Sequence, residues 1–215
     1  MSRTASRPAG AFLAWLGTFL DALRKGKGIE VDCAGCTGCC RARHFVLVEP
    51  REAGRIERAR PGVLVPVPGR PDGARLIPFG KGGRCAFLAE DGCSIYALRP
   101  LVCRQFDCRV LPAAGLRADL PGQAPIAREA RRWEFSLPTP LDGRASEAVR
   151  QAAAFVGSNA ELFPGGRVPD RPEQLAVLAA KVHQVFLGAR PRSAAGTARK
   201  VVEELRRFHG ADSAA

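Results

Sequence analysis

The sequence predicts an α+β chain: a small irregular cysteine-rich domain with short β-hairpins, an N-terminal helix before it and a helical C-terminal extension after it. Three observations predict this. All 8 cysteines lie between Cys33 and Cys108. Gly and Pro break the residues around them into pieces too short for long helices or strands. Beyond residue 141 the pattern changes to apolar residues at helical spacing. A chain of 215 residues, 46% hydrophobic and 25% charged, is long enough to bury a core around these pieces and reads as soluble and globular.

The chain divides into segments 1–30, 31–110, 111–141 and 142–215. In 1–30 an amphipathic helix repeats Leu13, Leu16, Leu20 and Leu23, and Gly26 and Gly28 end it. Its apolar face is expected against the core or against a protein partner. Arg3 and Arg7 precede the apolar stretch Ala11 to Leu20, which gives a superficial likeness to an export signal. Asp21, Arg24, Lys25 and Lys27 follow, however, with no small-x-small cleavage pattern. No stretch reaches the length that spans a bilayer. The expected location is the cytoplasm, where clustered cysteines bind metal more often than they form disulfides.

Segment 31–110 carries the cysteines. Cys33, Cys36, Cys39 and Cys40 form a C-x2-C-x2-C-C knot with Gly35 and Gly38 inside it, and Cys85, Cys93, Cys103 and Cys108 form a second group. Between the groups, His44 to Glu49 (HFVLVE) reads as a strand entering the core. Pro50 then opens a short helix through Ile56, since its missing N–H costs nothing at a helix start. Pro61, Pro66, Pro68, Pro71 and Pro78 make residues 60–80 a loop or a set of irregular strands. Cys85 to Tyr96 reads as a tight hairpin turning at Asp91-Gly92, which would put Cys85 and Cys93 on neighbouring strands. After Pro100 a short helix from Leu101 presents Cys103 and, about a turn later, Cys108.

Segment 111–141 is a Pro/Gly-rich connector with a strand-like piece around Trp133 and Phe135. In 142–215 three apolar stripes mark helices. The first is Ala148, Val149, Ala152 and Val156. The second is Leu175, Leu178, Val182, Val185 and Phe186, with Asp170 as its cap, Pro172 in its first turn and Gly188 past its end. The third is Val201, Val202, Leu205 and Phe208. These are packing faces, and nothing in them points to chemistry.

Thiols crowded as in 31–110 point to a metal, because soft sulfur ligands must converge on one point. Four thiolates close a tetrahedral zinc site; four also hold a [4Fe–4S] cube, one sulfur per iron. Zinc sites pair two C-x2-C knuckles, whereas a C-x2-C-x2-C triplet is nearer to ferredoxin spacing. The immediate Cys40-Arg41 departs from the ferredoxin pattern, so spacing leaves zinc and an iron–sulfur centre both open. Arg41, Arg84, Arg104 and Arg109 adjoin cysteines and would offset thiolate charge, although the chain is arginine-rich throughout. His44 reads as a hydrogen-bonded strand histidine, His183 and His209 as structural, and Tyr96 as packing behind the hairpin. The net charge of +12 is spread along the chain, and the 7% aromatic content shows no interleaving of the kind a nucleic-acid platform needs. A solvated basic surface is the expected reading.

The knot CAGCTGCC together with RCAFLAEDGCSIYALRPLVCRQFDC resembles the YkgJ-like cysteine-cluster family from about Val31 to Arg109. C-x-F-L at Cys85 to Leu88, G-C-x-I-Y at Gly92 to Tyr96, Arg99-Pro100 and C-R-x-F at Cys103 to Phe106 fall in the family's order. The resemblance implies a zinc- or iron-chelating domain. It makes Cys33, Cys36, Cys39, Cys40, Cys85, Cys93, Cys103 and Cys108 ligand candidates, with Tyr96, Arg99 and Arg104 as side chains that support the ligands. It implies no reaction, and no catalytic residue is assigned. A related module in flagellin lysine-N-methylases implies an alternative, an iron–sulfur-dependent enzyme of redox or methyl-transfer type. A third reading is iron or zinc storage or delivery.

Overall fold

The computed structural model describes residues 5–31, 33, 35–42, 46–70, 72–80, 82–188 and 193–210. In chain order the elements are β1 (Arg7–Ala11), α1 (Phe12–Arg24), β2 (Val46–Val48), α2 (Pro50–Ala59), β3 (Val65–Pro66), β4 (Arg75–Ile77), β5 (Leu88–Ala89) and β6 (Gly92–Cys93). They continue as α3 (Leu101–Gln105), α4 (Val110–Ala113), α5 (Ala124–Ala130), β7 (Trp133–Ser136), α6 (Pro140–Ser158), α7 (Pro172–Val182) and α8 (Ala194–Gly210). The chain is α+β, as expected. No helix among the described residues is long and apolar enough to cross a membrane. Two compact units form: one from residues up to Lys25, Cys108–Asp119 and the chain from Ala130 on, the other from Gly26–Asp107 with Leu120–Glu129.

The first unit is mostly helical. The apolar face of α1 is buried within it, through Phe12, Trp15, Leu16, Phe19 and Leu20. The rings of Phe12 and Trp15 meet Phe135 at 5.1 and 4.7 Å, so the core takes this face. Leu13, counted in the expected stripe, is 37% exposed. α6 starts at a capping box in which Thr139 and Asp142 bond reciprocally, and Asp142 Oδ1 also accepts the Leu13 amide at 2.9 Å. α6 and α7 bury alanines, Ala145, Ala148, Ala152 and Ala153 on one, Ala176, Ala179 and Ala180 on the other. Small side chains there let two helices approach closely.

Three features of this unit differ from the sequence reading. Residues 7–11 form a strand ahead of the helix, pairing in parallel with β7 and shifting register between Pro8 and Gly10. That pairing partner lies far along the chain, where no local pattern reveals it. The N-cap of α7 is Arg171 rather than Asp170; Arg171 Nε bonds Glu173 Oε1 at 2.6 Å across the first turn. α7 stops at Val182 and tightens into a 3-10 turn from His183 to Phe186, short of Gly188.

The second unit holds a three-stranded antiparallel sheet in the order β2-β4-β3 and the two-stranded hairpin β5-β6. Its core is Val46, Val48, Ile56, Val63, Ile77, Phe87 and Ile95, and Cys85, Cys93 and Cys103 pack against it. The expected strand of 44–49 is present over Val46–Val48; His44 lies outside the described residues. Pro50 opens α2 as expected. The hairpin pairs Ala89 with Gly92, so its turn is Glu90-Asp91, one residue earlier than read, with Gly92 at φ +126° on the strand. Cys85 falls just ahead of the hairpin, bridging to Phe79. α3 ends at Gln105 because Phe106 is extended (φ −76°, ψ 110°), so the short helix presents Cys103 but not Cys108.

Candidate metal centre

The knot is built as a series of tight turns. The Cys36 amide reaches the Cys33 carbonyl at 2.9 Å, and Cys39–Arg41 makes one turn of 3-10 helix. Gly35 turns the chain at φ +68°, where a side chain would be strained. Gly38 is needed for another reason: a Cβ there would stand 3.1 Å from Glu129 Cγ and 3.3 Å from the Pro125 carbonyl oxygen. One backbone bond then joins the two cysteine groups, the Cys85 amide donating to the Cys40 carbonyl at 2.8 Å. Beyond the hairpin, the Ser94 amide donates to the Phe87 carbonyl at 2.9 Å and its hydroxyl to the same oxygen at 3.1 Å. Arg60 donates to the Ala86 carbonyl from outside.

These turns surround a cavity of about 130 Å³. Seven of the eight predicted cysteines line it: Cys33, Cys36, Cys39, Cys40, Cys85, Cys93 and Cys103. The rest of the wall is apolar, including Val46, Ile77, Phe79, Phe87 and Ile95, with Tyr96 and Arg99 among the lining residues. Cys108 belongs to the other unit, where its sulfur accepts the Trp133 indole N–H at 3.2 Å and Arg109 stands 5.6 Å from the same ring. None of the eight cysteines is in a disulfide, and each is partly buried.

The sulfurs interact with one another. Interaction with the Cys85 and Cys93 side chains holds the Cys40 proton far above the ordinary thiol range. The same interaction pulls Cys85 down to about 7 and Cys93 down to about 6, with the Arg99 charge adding to the effect on Cys93. Burial pushes the Cys103 thiol up to about 12, helped by the nearby Cys85 and Cys93 sulfurs. Among the described residues, no three His, Cys, Asp or Glu side chains stand ready around one point. The donor chemistry nevertheless fits a soft cation. Three thiols whose protonation is linked line the same cavity with apolar residues beside them, and a bound cation deprotonates thiols and supplies the positive charge that gathers their thiolates.

The three supporting residues are placed differently. Arg99 lines the cavity, its guanidinium carbon 3.6 Å from the Tyr96 ring centroid and its Nε donating to the Tyr96 carbonyl at 3.0 Å. Tyr96 also lines the cavity, although it is 44% exposed. Arg104 is not a lining residue: Nε donates to the Arg99 carbonyl at 3.0 Å and Nη2 to Glu52 Oε1 at 3.4 Å. Of the arginines beside cysteines, Arg41 is turned to the Thr37 hydroxyl at 2.9 Å and Arg84 is exposed.

Sequence reasoning missed Glu52. This carboxylate is 5% exposed in the first turn of α2 and bonds the start of α3, the helix that carries Cys103. Its only local signal is an acid near a helix N-terminus, which many surface helices share.

Compared with known proteins, residues 32–117 match the model of the CxxCxxCC family, described as "Putative zinc- or iron-chelating domain". No curated protein and no solved structure matches the chain.

Proposed function

Because the chain carries a CxxCxxCC zinc- or iron-chelating domain over residues 32–117, we propose that it holds its metal in the seven-cysteine cavity. Cys40, Cys85, Cys93 and Cys103 form the central ligand set. The observation that carries this is geometric: Cys40, Cys85, Cys93 and Cys103 line one cavity, the Cys85 amide donates to the Cys40 carbonyl, and Cys85, Cys93 and Cys103 pack on the same core. Four thiolates complete the shell of a tetrahedral ion. Bound there, the metal would tie the knot to the hairpin and to α3, elements that reach the cavity from separate parts of the chain. Cys85, Cys93 and Cys103 pack on the apolar core of the unit, so ligand binding and folding are coupled.

A second reading draws on the other three lining cysteines, Cys33, Cys36 and Cys39. A tetrad with further thiols in the same cavity suits a redox or transfer centre such as a [4Fe–4S] cluster, because a closed structural zinc site uses four thiolates and leaves the others without a role. When bound, a cluster would supply an electron-transfer centre, and the apolar wall would keep water from it.

Anaerobic purification tests both readings. Zinc, iron and sulfide are measured on one sample together with its absorption spectrum. Colourless protein with zinc in about equimolar amount is the result expected of the closed tetrad. Iron with matching sulfide and a broad visible band moves the second reading ahead. Cys40→Ser and Cys103→Ser should each lower bound metal; wild-type metal content in both would overturn the ligand set.

A further inference from the structure

Among the described residues that line the cavity, Arg99 is the one with a basic side chain, and its contacts leave part of it unused. Its Nε is committed to the Tyr96 carbonyl and its face is stacked on the Tyr96 ring at 3.6 Å. Among the described residues, no carboxylate pairs with its guanidinium and no other side-chain hydrogen bond is made by it; the Arg99 backbone bonds Tyr96 and Arg104. The terminal nitrogens therefore keep a fixed plane without a partner. Stacking and the Nε bond spend little of the guanidinium's donor capacity, since five N–H groups are available and these two contacts use one. A planar fork held in this way is suited to receive a carboxylate through two parallel bonds. Apart from the seven cysteines, the lining beside it is mostly apolar, with Ile77, Phe79, Val102 and Phe106 in it. At about 130 Å³ the cavity is below the size of a drug-sized pocket and suits a body of a few carbons.

We propose that Arg99 receives the carboxylate of a small aliphatic acid at the cysteine cavity, with the acid's short apolar body against the cavity wall. The inference rests on the proposed function in one respect, that the sulfurs beside the acid hold a metal. Arg99 also acts on the neighbouring thiols, lowering Cys93 and Cys103 by its charge. The two roles separate chemically. A point charge facing thiolates is replaceable by an ammonium, whereas a bidentate fork is not.

The test is a calorimetric titration of the metal-loaded protein with butanoate, run beside inorganic phosphate. Arg99→Lys and Arg99→Ala are compared with wild type, and affinities are expressed per metal-loaded chain. Butanoate should bind wild type more tightly than phosphate does, and lose about tenfold or more in both variants, the scale of a lost charge-assisted pair. No butanoate binding at millimolar concentration overturns the proposal. So does an unchanged affinity in Arg99→Lys, or phosphate binding as tightly as butanoate. Arg99→Lys keeps the charge the thiols feel, so it remains informative if Arg99→Ala fails to fold. Metal content of the wild type is read on the same sample. A wild type without metal ends the proposed function; the same butanoate titration, then expressed per chain, still decides the role of Arg99.

Discussion

The Glu52 carboxylate accepts the Leu101 amide through both oxygens, at 3.0 and 3.2 Å. Leu101 is the first residue of α3, and an opening N–H has no partner within its own helix. The same carboxylate takes Arg55 at 2.7 Å and Arg104 at 3.4 Å. Glu52 thus connects α2 to the helix bearing Cys103 while remaining buried. Glu52→Ala leaves the Leu101 donor without its acceptor and should cost about 2 kcal/mol, the usual penalty for stranding such a group. The two arginines add little to that figure because both are more than a third exposed and water screens them. Glu52→Gln keeps an acceptor and should cost less. Urea midpoints at unchanged m-value measure both; an alanine variant within about 0.5 kcal/mol of wild type would show that Glu52 does not hold α3.

Gly38 makes a separate prediction for the knot. Its backbone is ordinary αR, at φ −52°, so conformational strain is not the reason for glycine. The reason is space: a methyl group would meet the Pro125 carbonyl oxygen at 3.3 Å and Glu129 Cγ at 3.1 Å. The glutamate chain can swing away, but the backbone oxygen cannot move alone. Gly38→Ala should destabilise the protein by about 1–3 kcal/mol, as overpacking does. Gly35→Ala meets open space and should be felt only through its positive φ, at roughly 1 kcal/mol. Denaturant midpoints that rank the two in the opposite order would refute the spatial argument.

How much of this was legible in the sequence depends on the distance over which each feature is encoded. The CAGCTGCC turns, the strand at Val46–Val48 and the Pro50 helix start are local, and the residues at each point to them directly. The hairpin was legible to within one residue, since Asp91-Gly92 marks the turn but only the pairing of Ala89 with Gly92 sets its register. β1 was not legible. Its ladder is made with Trp133–Ser136, and a stretch reading RPAGA carries no alternation to advertise a strand. Within the candidate site, cysteine spacing nominated all eight thiols alike, and it marked neither the seven that line the cavity nor Cys108 as the one that does not. Glu52 was invisible for the reason that hid β1: its nearby partner, Arg55, is an ordinary helix pair, and the partners that tie it to the Cys103 helix, Leu101 and Arg104, are remote in sequence.

Metal removal provides the next prediction. A ligand that binds only the folded chain adds stability as the logarithm of its excess over Kd, about 4 kcal/mol at a thousandfold excess. If Cys40, Cys85, Cys93 and Cys103 hold the metal, chelation should lower the urea midpoint of the wild type. In Cys40→Ser, the gap between loaded and chelated protein should shrink to near zero. Equal gaps in the two proteins would place the metal on other ligands.

The last prediction concerns His183, which is 4% exposed in the 3-10 turn after α7. One ring nitrogen, Nδ1, is 2.7 Å from the Ala180 carbonyl and so carries the proton, while Nε2 lies 3.1 Å from the Gln184 side-chain amide and accepts from it. Both contacts suit the neutral ring. Burial lowers its pKa below the ordinary value, the Ala180 bond and Glu204 on α8 oppose that, and Arg24 on α1 adds to it. The unfolded chain therefore takes up a proton near pH 6.5 that the folded chain still refuses. Stability from this group is fully present above about pH 6.5 and is lost as pH falls through that value toward the folded pKa, by at most about 1.4 kcal/mol per pH unit. His183→Gln cannot titrate, so its denaturant midpoint should vary less between about pH 7.5 and 5.5 than that of the wild type. Identical pH slopes in the two proteins would mean that His183 is protonated in the folded chain as readily as in the unfolded one.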